Sequence, residues 1–185
     1  MPVIMLLFVI ISIIAFIPLK RELIFQLSWK NASQLCQIKT IEEINNKYES
    51  LYQEGKDNYR FLYDYACKAY DEEDYSLSLE LSKEAEKKIA DYDLKMLIGD
   101  CYQSLQKTNE ALDAYSKASH MCPSKYMPLY EIYKIYSSRN DTINCIRLYG
   151  EIINKKEKVH SRTIEVIINE IKHDFLRFNI HNYQF

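Results

Sequence analysis

Small and aromatic residues recur along the middle of this chain every 33 or 34 residues, and this spacing constrains the fold more than any other feature. The recurring pairs centre on the segment 92–125, with one set lying before it and another after it. They are Ala66 and Gly99, Ser78 and Ala111, Ala85 and Ala118, Tyr102 and Tyr136, Ala111 and Cys145, and Tyr115 and Tyr149. A period of this length indicates stacked helical hairpins, because one such unit cannot bury its apolar face alone.

The segment 92–125 carries the pattern most completely. Seven of its residues stand at the offsets of a 34-residue hairpin signature: Ile98, Gly99, Tyr102, Ala111, Tyr115, Ala118 and Pro123. The segment therefore resembles a tetratricopeptide repeat (TPR), departing from it only at the first aromatic position, where Lys95 stands. Small side chains are expected where paired helices approach closely, and Pro123 is expected to end the second helix. The turn 106–109 lacks the glycine usual in such repeats, which predicts a slightly shifted hairpin.

The repeat positions predict the organisation of the whole chain. Three hairpins are expected between about residues 58 and 154, after a more degenerate pair of helices over 23–36 and 41–53 that Gly55 ends. Isoleucines at helical spacing, with Ser161 as a plausible N-cap, predict a capping helix near the C-terminus: Ile164, Ile167, Ile168 and Ile171. With only 3 glycines and 4 prolines, a many-stranded sheet is disfavoured.

The N-terminal residues 3–19 carry no charge. At about 1.5 Å per residue they cover about 25 Å, which is the short end of what spans a bilayer. We therefore expect a transmembrane anchor over 1–21; a cleaved secretory signal is the alternative, although no basic n-region or small-residue cleavage site accompanies it. Lys20, Arg21, Lys30 and Lys39 follow the apolar run, which predicts a single-pass protein with its C-terminal domain in the cytoplasm, a periplasmic or extracytoplasmic location staying open.

Together these patterns predict an all-α chain, with an N-terminal transmembrane helix, an α-solenoid of about three to four TPR-like hairpins and a C-terminal capping helix. The expected domains are the anchor over 1–21, a degenerate helical hairpin over 22–57, TPR-like repeats over 58–158, and a capping helix with its tail over 159–185.

Composition disfavours several classes of function. A net charge of -2 with interspersed signs gives no basic field for a phosphate backbone, so no nucleic-acid partner is expected. The 5 cysteines include no C-x-x-C pair, which favours free thiols in a reducing compartment. His120 and Cys122 could touch one metal ion, but no second ligand pair lies nearby, so no metal site is predicted. No nucleophile stands in an arrangement with a histidine and an acid, and no glycine-rich loop is discernible; we predict no catalytic residues, no cofactor and no enzyme activity.

In TPR proteins the first helix of each hairpin lines a concave groove that binds protein or peptide partners. The resemblance carries partner-binding positions over to Arg60, Tyr63, Tyr70, Met96, Asp100, Gln103, Tyr130 and Lys134. Aromatic and methionine side chains commonly anchor bound peptides. The alternative is that this surface packs against the chain's own helices or a membrane neighbour.

The order of features also resembles the C-terminal end of the O-antigen ligase/polymerase family, in which a last transmembrane helix precedes TPR hairpins. The matching residues include Trp29-Lys30, Phe61-Leu62-Tyr63, Met127-Pro128-Leu129-Tyr130 and Ile152-Ile153-Asn154-Lys155. The resemblance implies a membrane-anchored TPR scaffold or adaptor in surface polysaccharide assembly, with a multi-span glycan-assembly protein as partner. The alternatives are a detached C-terminal part of a glycosyl-transfer membrane enzyme, or a degenerate fragment of one.

Overall fold

The computed structural model describes residues 2–34, 41–155 and 161–182, with the side chains of 2–13, 15, 41, 42 and 177–182 outside this description. The described residues form helices and turns and contain no strand, which confirms the all-α prediction. The chain divides into two compact units, Met1–Lys88 and Ile89–Phe185. The first holds α1 (Pro2–Gln34), α2 (Ile41–Gly55), α3 (Tyr59–Asp71) and α4 (Tyr75–Glu86). The second holds α5 (Tyr92–Ser104), α6 (Thr108–Met121), α7 (Met127–Ser138), α8 (Thr142–Ile153) and α9 (Arg162–Asn182).

Helix α1 begins in the apolar N-terminal segment but continues far beyond the boundary expected at residue 21. Among the described residues no helix is long and apolar enough to cross a membrane, so the transmembrane helix expected from the sequence is not found there. The part of α1 with described side chains starts at Ile14 and soon carries Lys20, Arg21 and Glu22, which interrupt its apolar character. Most of the expected span, 3–13 and 15, has its side chains outside the described set.

Unit 1 has an aromatic core shared by its first three helices. The ring of Phe61 on α3 lies 5.4 Å from that of Phe25 and 5.7 Å from that of Trp29, both on α1. On α2, Tyr48 stacks on Tyr65 at 5.1 Å. Tyr48 and Phe61 are fully buried, so these rings supply apolar contact that joins α1 and α2 to the hairpin α3/α4.

Small residues let the helices of each hairpin approach closely. In the hairpin α3/α4 the buried Ser78 hydroxyl donates a hydrogen bond to the Ala66 carbonyl at 2.8 Å. In the hairpin α5/α6 a Cβ atom added to Gly99 would lie 2.4 Å from Cε1 of Tyr115, which is closer than two carbon atoms can approach. Ala66 and Gly99 are repeat equivalents, so the same place on the first helix is small in both hairpins for a packing reason.

The core of unit 2 joins its two hairpins to the C-terminal helix. Its buried members come from α6, α7, α8, α9 and the connection before α7: Ala111, Tyr115, Tyr126, Leu129, Ile132, Tyr133, Ile135, Cys145, Leu148, Ile152, Ile167 and Ile171. The ring of Phe175 on α9 stacks on Tyr149 of α8 at 4.0 Å. Helix α9 therefore buries the apolar stripe predicted for it, and covers the last hairpin of the unit.

The three hairpin turns share one backbone design, although none contains glycine. Glu73, Gln106 and Asn140 have φ values of 64°, 58° and 55° and stand 33 and 34 residues apart. After each, the next N–H bonds the carbonyl five residues earlier: Asp74 to Ala69, Lys107 to Tyr102 and Asp141 to Tyr136, at 2.8 to 2.9 Å. This is the hydrogen bond of a Schellman motif. The turn 106–109 thus has the same left-handed residue and the same hydrogen bond as the two other hairpin turns.

Lys107→Asp is expected to stabilise unit 2 by about 1 kcal/mol. Asp74 and Asp141 at the equivalent positions accept hydrogen bonds from the backbone at Leu77 and Asn144, whereas Lys107 makes no side-chain cap. Its φ and ψ of -88° and 69° nearly equal the -81° and 70° of Asp74, so the new carboxylate needs no backbone change. Urea unfolding followed by circular dichroism measures the gain. Lys107→Asn should retain most of it and Lys107→Ala little; equal effects of all three would contradict capping.

Candidate peptide-binding cavity

Unit 2 contains an open cavity of about 520 Å³. Residues from the start of α5, the connection between α6 and α7, and the start of α9 surround it. Its lining is Tyr92, Asp93, Met96, Ser124, Lys125, Tyr126, Met127, Ser161, Thr163, Ile164 and Ile167. The volume lies within the range of about 300 to 1,000 Å³ typical of ligand pockets.

The wall of the cavity is mainly apolar and partly adaptable. Met96 and Met127 come from the first helices of successive hairpins, and Ile164 and Ile167 come from α9. Met127 is 36% exposed, so its thioether is accessible to a partner, whereas Ile167 is 3% exposed and belongs to the core. Because methionine side chains are unbranched and polarizable, this wall can adapt to more than one apolar shape.

Lys155 fixes the connection that forms one edge of the cavity. Its ammonium group donates to the Lys125 carbonyl at 2.7 Å and lies 5.2 Å from the centre of the Tyr126 ring. The Tyr126 hydroxyl donates in return to the Lys155 carbonyl at 2.9 Å. Burial lowers the pKa of Lys155, and the nearby Glu151 carboxylate partly opposes that effect. These reciprocal contacts hold Tyr126 and Met127 at the cavity edge.

Tyr92 forms the opposite edge. The Lys125 ammonium group lies 5.5 Å from the centre of its ring, within the range of a cation–π contact. Burial, followed by the negative charge of Asp93, raises the pKa of Tyr92 to about 12. The hydroxyl therefore stays protonated at neutral pH, and the cavity presents one cation, Lys125, and one carboxylate, Asp93, beside its apolar wall.

Of the groove positions predicted in unit 2, Met96 lines the cavity and the other four are bonded within the unit. The Tyr115 hydroxyl oxygen lies 2.6 Å from Asp100 Oδ1 and 2.9 Å from Gln103 Oε1. The Tyr130 hydroxyl donates to Glu170 of α9 at 2.6 Å. The Lys134 ammonium group pairs with Glu131 at 2.6 Å and lies 5.1 Å from the Tyr130 ring. Tyr130 thus contacts the chain's own helix α9, which was the alternative to partner binding.

The three groove positions predicted in unit 1 lie together on α3. Arg60 is exposed and its Nε donates to the Tyr59 hydroxyl at 3.1 Å. Tyr63 is half-buried, and its side chain hydrogen-bonds the Cys67 thiol, whose pKa is raised chiefly by burial. Tyr70 meets the ring of Tyr75 edge to face at 5.2 Å.

Asp100→Asn is expected to gain stability relative to the wild type as the pH rises. Burial raises the pKa of Asp100 by more than the Tyr115 hydrogen bond and the charge of Lys134 lower it. A carboxyl whose pKa is raised on folding contributes stability below its unfolded pKa of about 3.9, and loses it as the pH rises through the folded pKa. Urea unfolding near pH 4 and near pH 7 measures both proteins. If the variant were less stable relative to the wild type at pH 7 than at pH 4, the predicted sign would be contradicted.

The sequence did not indicate that α9 forms a wall of the cavity. Its isoleucine spacing predicted a capping helix, but spacing alone cannot say that Thr163 and Ile164 would border an opening beside Met96 and Met127. Within the described residues no group of histidine, cysteine and acidic side chains is arranged to hold a metal ion. Cys101 and Cys145 are buried among apolar side chains, while Cys36 lies outside the described residues.

Comparison with known proteins supports the repeat fold alone. No family model and no curated protein matches the chain, so the resemblance to the O-antigen ligase/polymerase family is not supported. Among solved structures, the one titled "Crystal structure of MamA" aligns with a TM-score of 0.64 and 12% sequence identity, covering 71% of this chain and 77% of that chain. At this identity the likeness concerns the fold alone. The chain has a TPR-type helical repeat fold.

Proposed function

We propose that the chain is a protein-interaction scaffold, and that the cavity of unit 2 seats a large apolar side chain of a partner peptide. The TPR-type fold suggests a scaffold for protein partners rather than an enzyme. One observation carries the finer proposal: Met96 on the first helix of one hairpin and Met127 on the first helix of the next border the same cavity of about 520 Å³.

The chemistry of the lining fits a peptide better than a small charged metabolite. The apolar wall offers methionine and isoleucine side chains to an aliphatic or aromatic anchor, which is where most binding energy in an interface resides. Lys125 at the cavity border can contact an acceptor or negatively charged group of the peptide. Asp93 can contact a donor or positively charged group. A peptide supplies both kinds of group together.

Met127→Glu is expected to weaken peptide binding at least about tenfold, because it places a charge against the apolar wall. The experiment selects peptides from a displayed random library on the full chain, then measures the selected peptides on variants by fluorescence polarisation. Met121→Glu is a matched control: Met121 is 37% exposed, against 36% for Met127, but does not line the cavity. Selected peptides should carry a large apolar residue. Equal binding by both variants, or no enrichment, would refute the proposal.

Attachment to a membrane through residues 3–19 is a separate part of the proposal. The segment is uncharged, and four described apolar side chains within it are exposed: Ile14, Phe16, Ile17 and Leu19 at 62% to 65%. An exposed apolar patch of this kind marks a surface for protein–protein or membrane interaction. Charge asymmetry places the C-terminal domain in the cytoplasm under this proposal.

Fractionation of cells expressing the full chain tests the attachment. The protein should remain with the membranes after carbonate extraction, and a variant with Ile10, Ile14 and Ile17 changed to Asn should be released. Labelling of its cysteines by an impermeant reagent on intact cells would overturn the cytoplasmic orientation. Release of the wild type would overturn the attachment itself. A glycan-assembly partner is not part of the proposal, because no comparison supports that resemblance.

A further inference from the structure

A second cavity lies in unit 1, and none of the predicted groove positions lines it. It has a volume of about 380 Å³ and is lined by Asn45, Glu49, Tyr52, Tyr65, Leu77, Glu80 and Leu81. Helix α2 supplies one wall, α4 supplies the other, and Tyr65 comes from α3. We call it the acidic cavity, because its lining contains two carboxylates and no basic side chain.

The two lining carboxylates face the cavity from opposite walls, Glu49 from α2 and Glu80 from α4. Both residues are exposed, and no described residue forms a hydrogen bond or ion pair with either carboxylate. A third carboxylate, that of Glu84, accepts a hydrogen bond from the Tyr52 hydroxyl at 2.8 Å. The cavity is thus a concave surface with unneutralised negative charge on both sides, and it also has aromatic surface.

The same carboxylates add to the raised pKa of two tyrosines in the lining. The hydrogen bond to Glu84 is the main cause that raises the pKa of Tyr52 to about 12, with burial and the charges of Glu84 and Glu80 adding to it. Burial is the main cause that raises the pKa of Tyr65, and Glu49 is the first of the charges that add to it. Carboxylates raise the pKa of a nearby phenol because they disfavour a second negative charge.

We propose that the acidic cavity binds the guanidinium or ammonium group of an arginine or lysine side chain presented by a partner peptide. A cation between the walls can pair with Glu49 and Glu80 together, and the rings of Tyr52 and Tyr65 supply cation–π attraction for its apolar stem and charged head. Charge complementarity and an aromatic lining identify this ligand class. The inference does not rest on the cavity of unit 2, which presents different chemistry.

Titration of the ¹⁵N-labelled full chain with a short peptide containing one arginine tests the proposal by NMR. Saturable shifts are expected for amides of α2, α3 and α4 next to the cavity. The same peptide with citrulline, which keeps the shape and loses the charge, should produce none. Equal shifts with citrulline would overturn the proposal, and so would saturable shifts of the same amides with magnesium ions alone, which would make the site a general one for cations.

Removing the two carboxylates supplies the second test. Glu49→Gln with Glu80→Gln is expected to weaken arginine binding about tenfold, since it removes both charges that pair with the cation. Both positions are exposed, so the fold should persist, as circular dichroism would verify. Glu110→Gln makes the same chemical change at an exposed position in unit 2 and should leave binding unchanged. Unaltered affinity in the double variant would refute the assignment, whatever the outcome at Met127.

Discussion

Gly99→Leu is expected to destabilise unit 2 by about 3 kcal/mol, the upper part of the range for overpacking a tight core. A Cβ atom at Gly99 would already lie 2.4 Å from Cε1 of Tyr115. The ring cannot simply move aside, because Tyr115 is fully buried and its hydroxyl lies 2.6 Å from the Asp100 carboxylate. Relief therefore requires α5 and α6 to separate, which also weakens that hydrogen bond. A loss of this size is a large share of the total stability of a domain.

Gly150→Leu is the matched control for this prediction. Gly150 also lies inside a helix of unit 2, but a Cβ atom there meets nothing within 4 Å. Leucine at that position should be tolerated, and should even stabilise α8 by about 0.5 to 1 kcal/mol through its helix propensity. Amide hydrogen exchange of peptides from α5 and α6 measures the effect locally. Exchange about a hundredfold faster in Gly99→Leu is expected; similar protection in both variants would show that the close approach is not rigid.

The hairpins could be predicted because their determinants are local and repeated. Gly99, Ala111 and Ala118 have small equivalents one period earlier at Ala66, Ser78 and Ala85, and the spacing alone places them on facing helices. The turns show the limit of this reasoning. Gln106 stands in a turn that lacks the glycine usual in such repeats, yet the hydrogen bond from Lys107 to Tyr102 accompanies a left-handed conformation there. Backbone hydrogen bonds can impose a conformation for which the side chain has little preference.

The sites depend on contacts between residues far apart in the sequence, and spacing does not specify those. The TPR resemblance predicted Asp100 and Tyr130 as partner-binding positions. The Tyr130 hydroxyl, however, donates a hydrogen bond to Glu170, 40 residues away on α9. The acidic cavity combines α2, α3 and α4, and no local pattern shows that Glu49 and Glu80 line one opening. Side-chain partners of this kind become visible only once the helices are placed.

Asp64→Ala is expected to destabilise unit 1 by about 3 kcal/mol, because it removes hydrogen bonds that the sequence alone does not predict. Oδ2 of Asp64 on α3 accepts hydrogen bonds from the indole nitrogen of Trp29 on α1 at 2.7 Å and from the hydroxyl of Tyr48 on α2 at 2.5 Å. The substitution removes the acceptor that these two donors share. Tyr48 is fully buried, so water cannot replace the lost partner without opening the core. One side chain thereby connects three helices, and all three should loosen together.

Trp29 is the single tryptophan of the chain, so its fluorescence reports this junction directly. In Asp64→Ala the emission is expected to shift to longer wavelength and the urea midpoint to fall. Asp64→Asn keeps one side-chain oxygen as an acceptor and should lie between the variant and the wild type. Asp71→Ala removes an exposed carboxylate at the end of the same helix, where its pair with Lys68 is at the surface, and should change the midpoint little. If Asp64→Ala matched Asp71→Ala, the aromatic packing around Phe61 would hold the junction without the carboxylate.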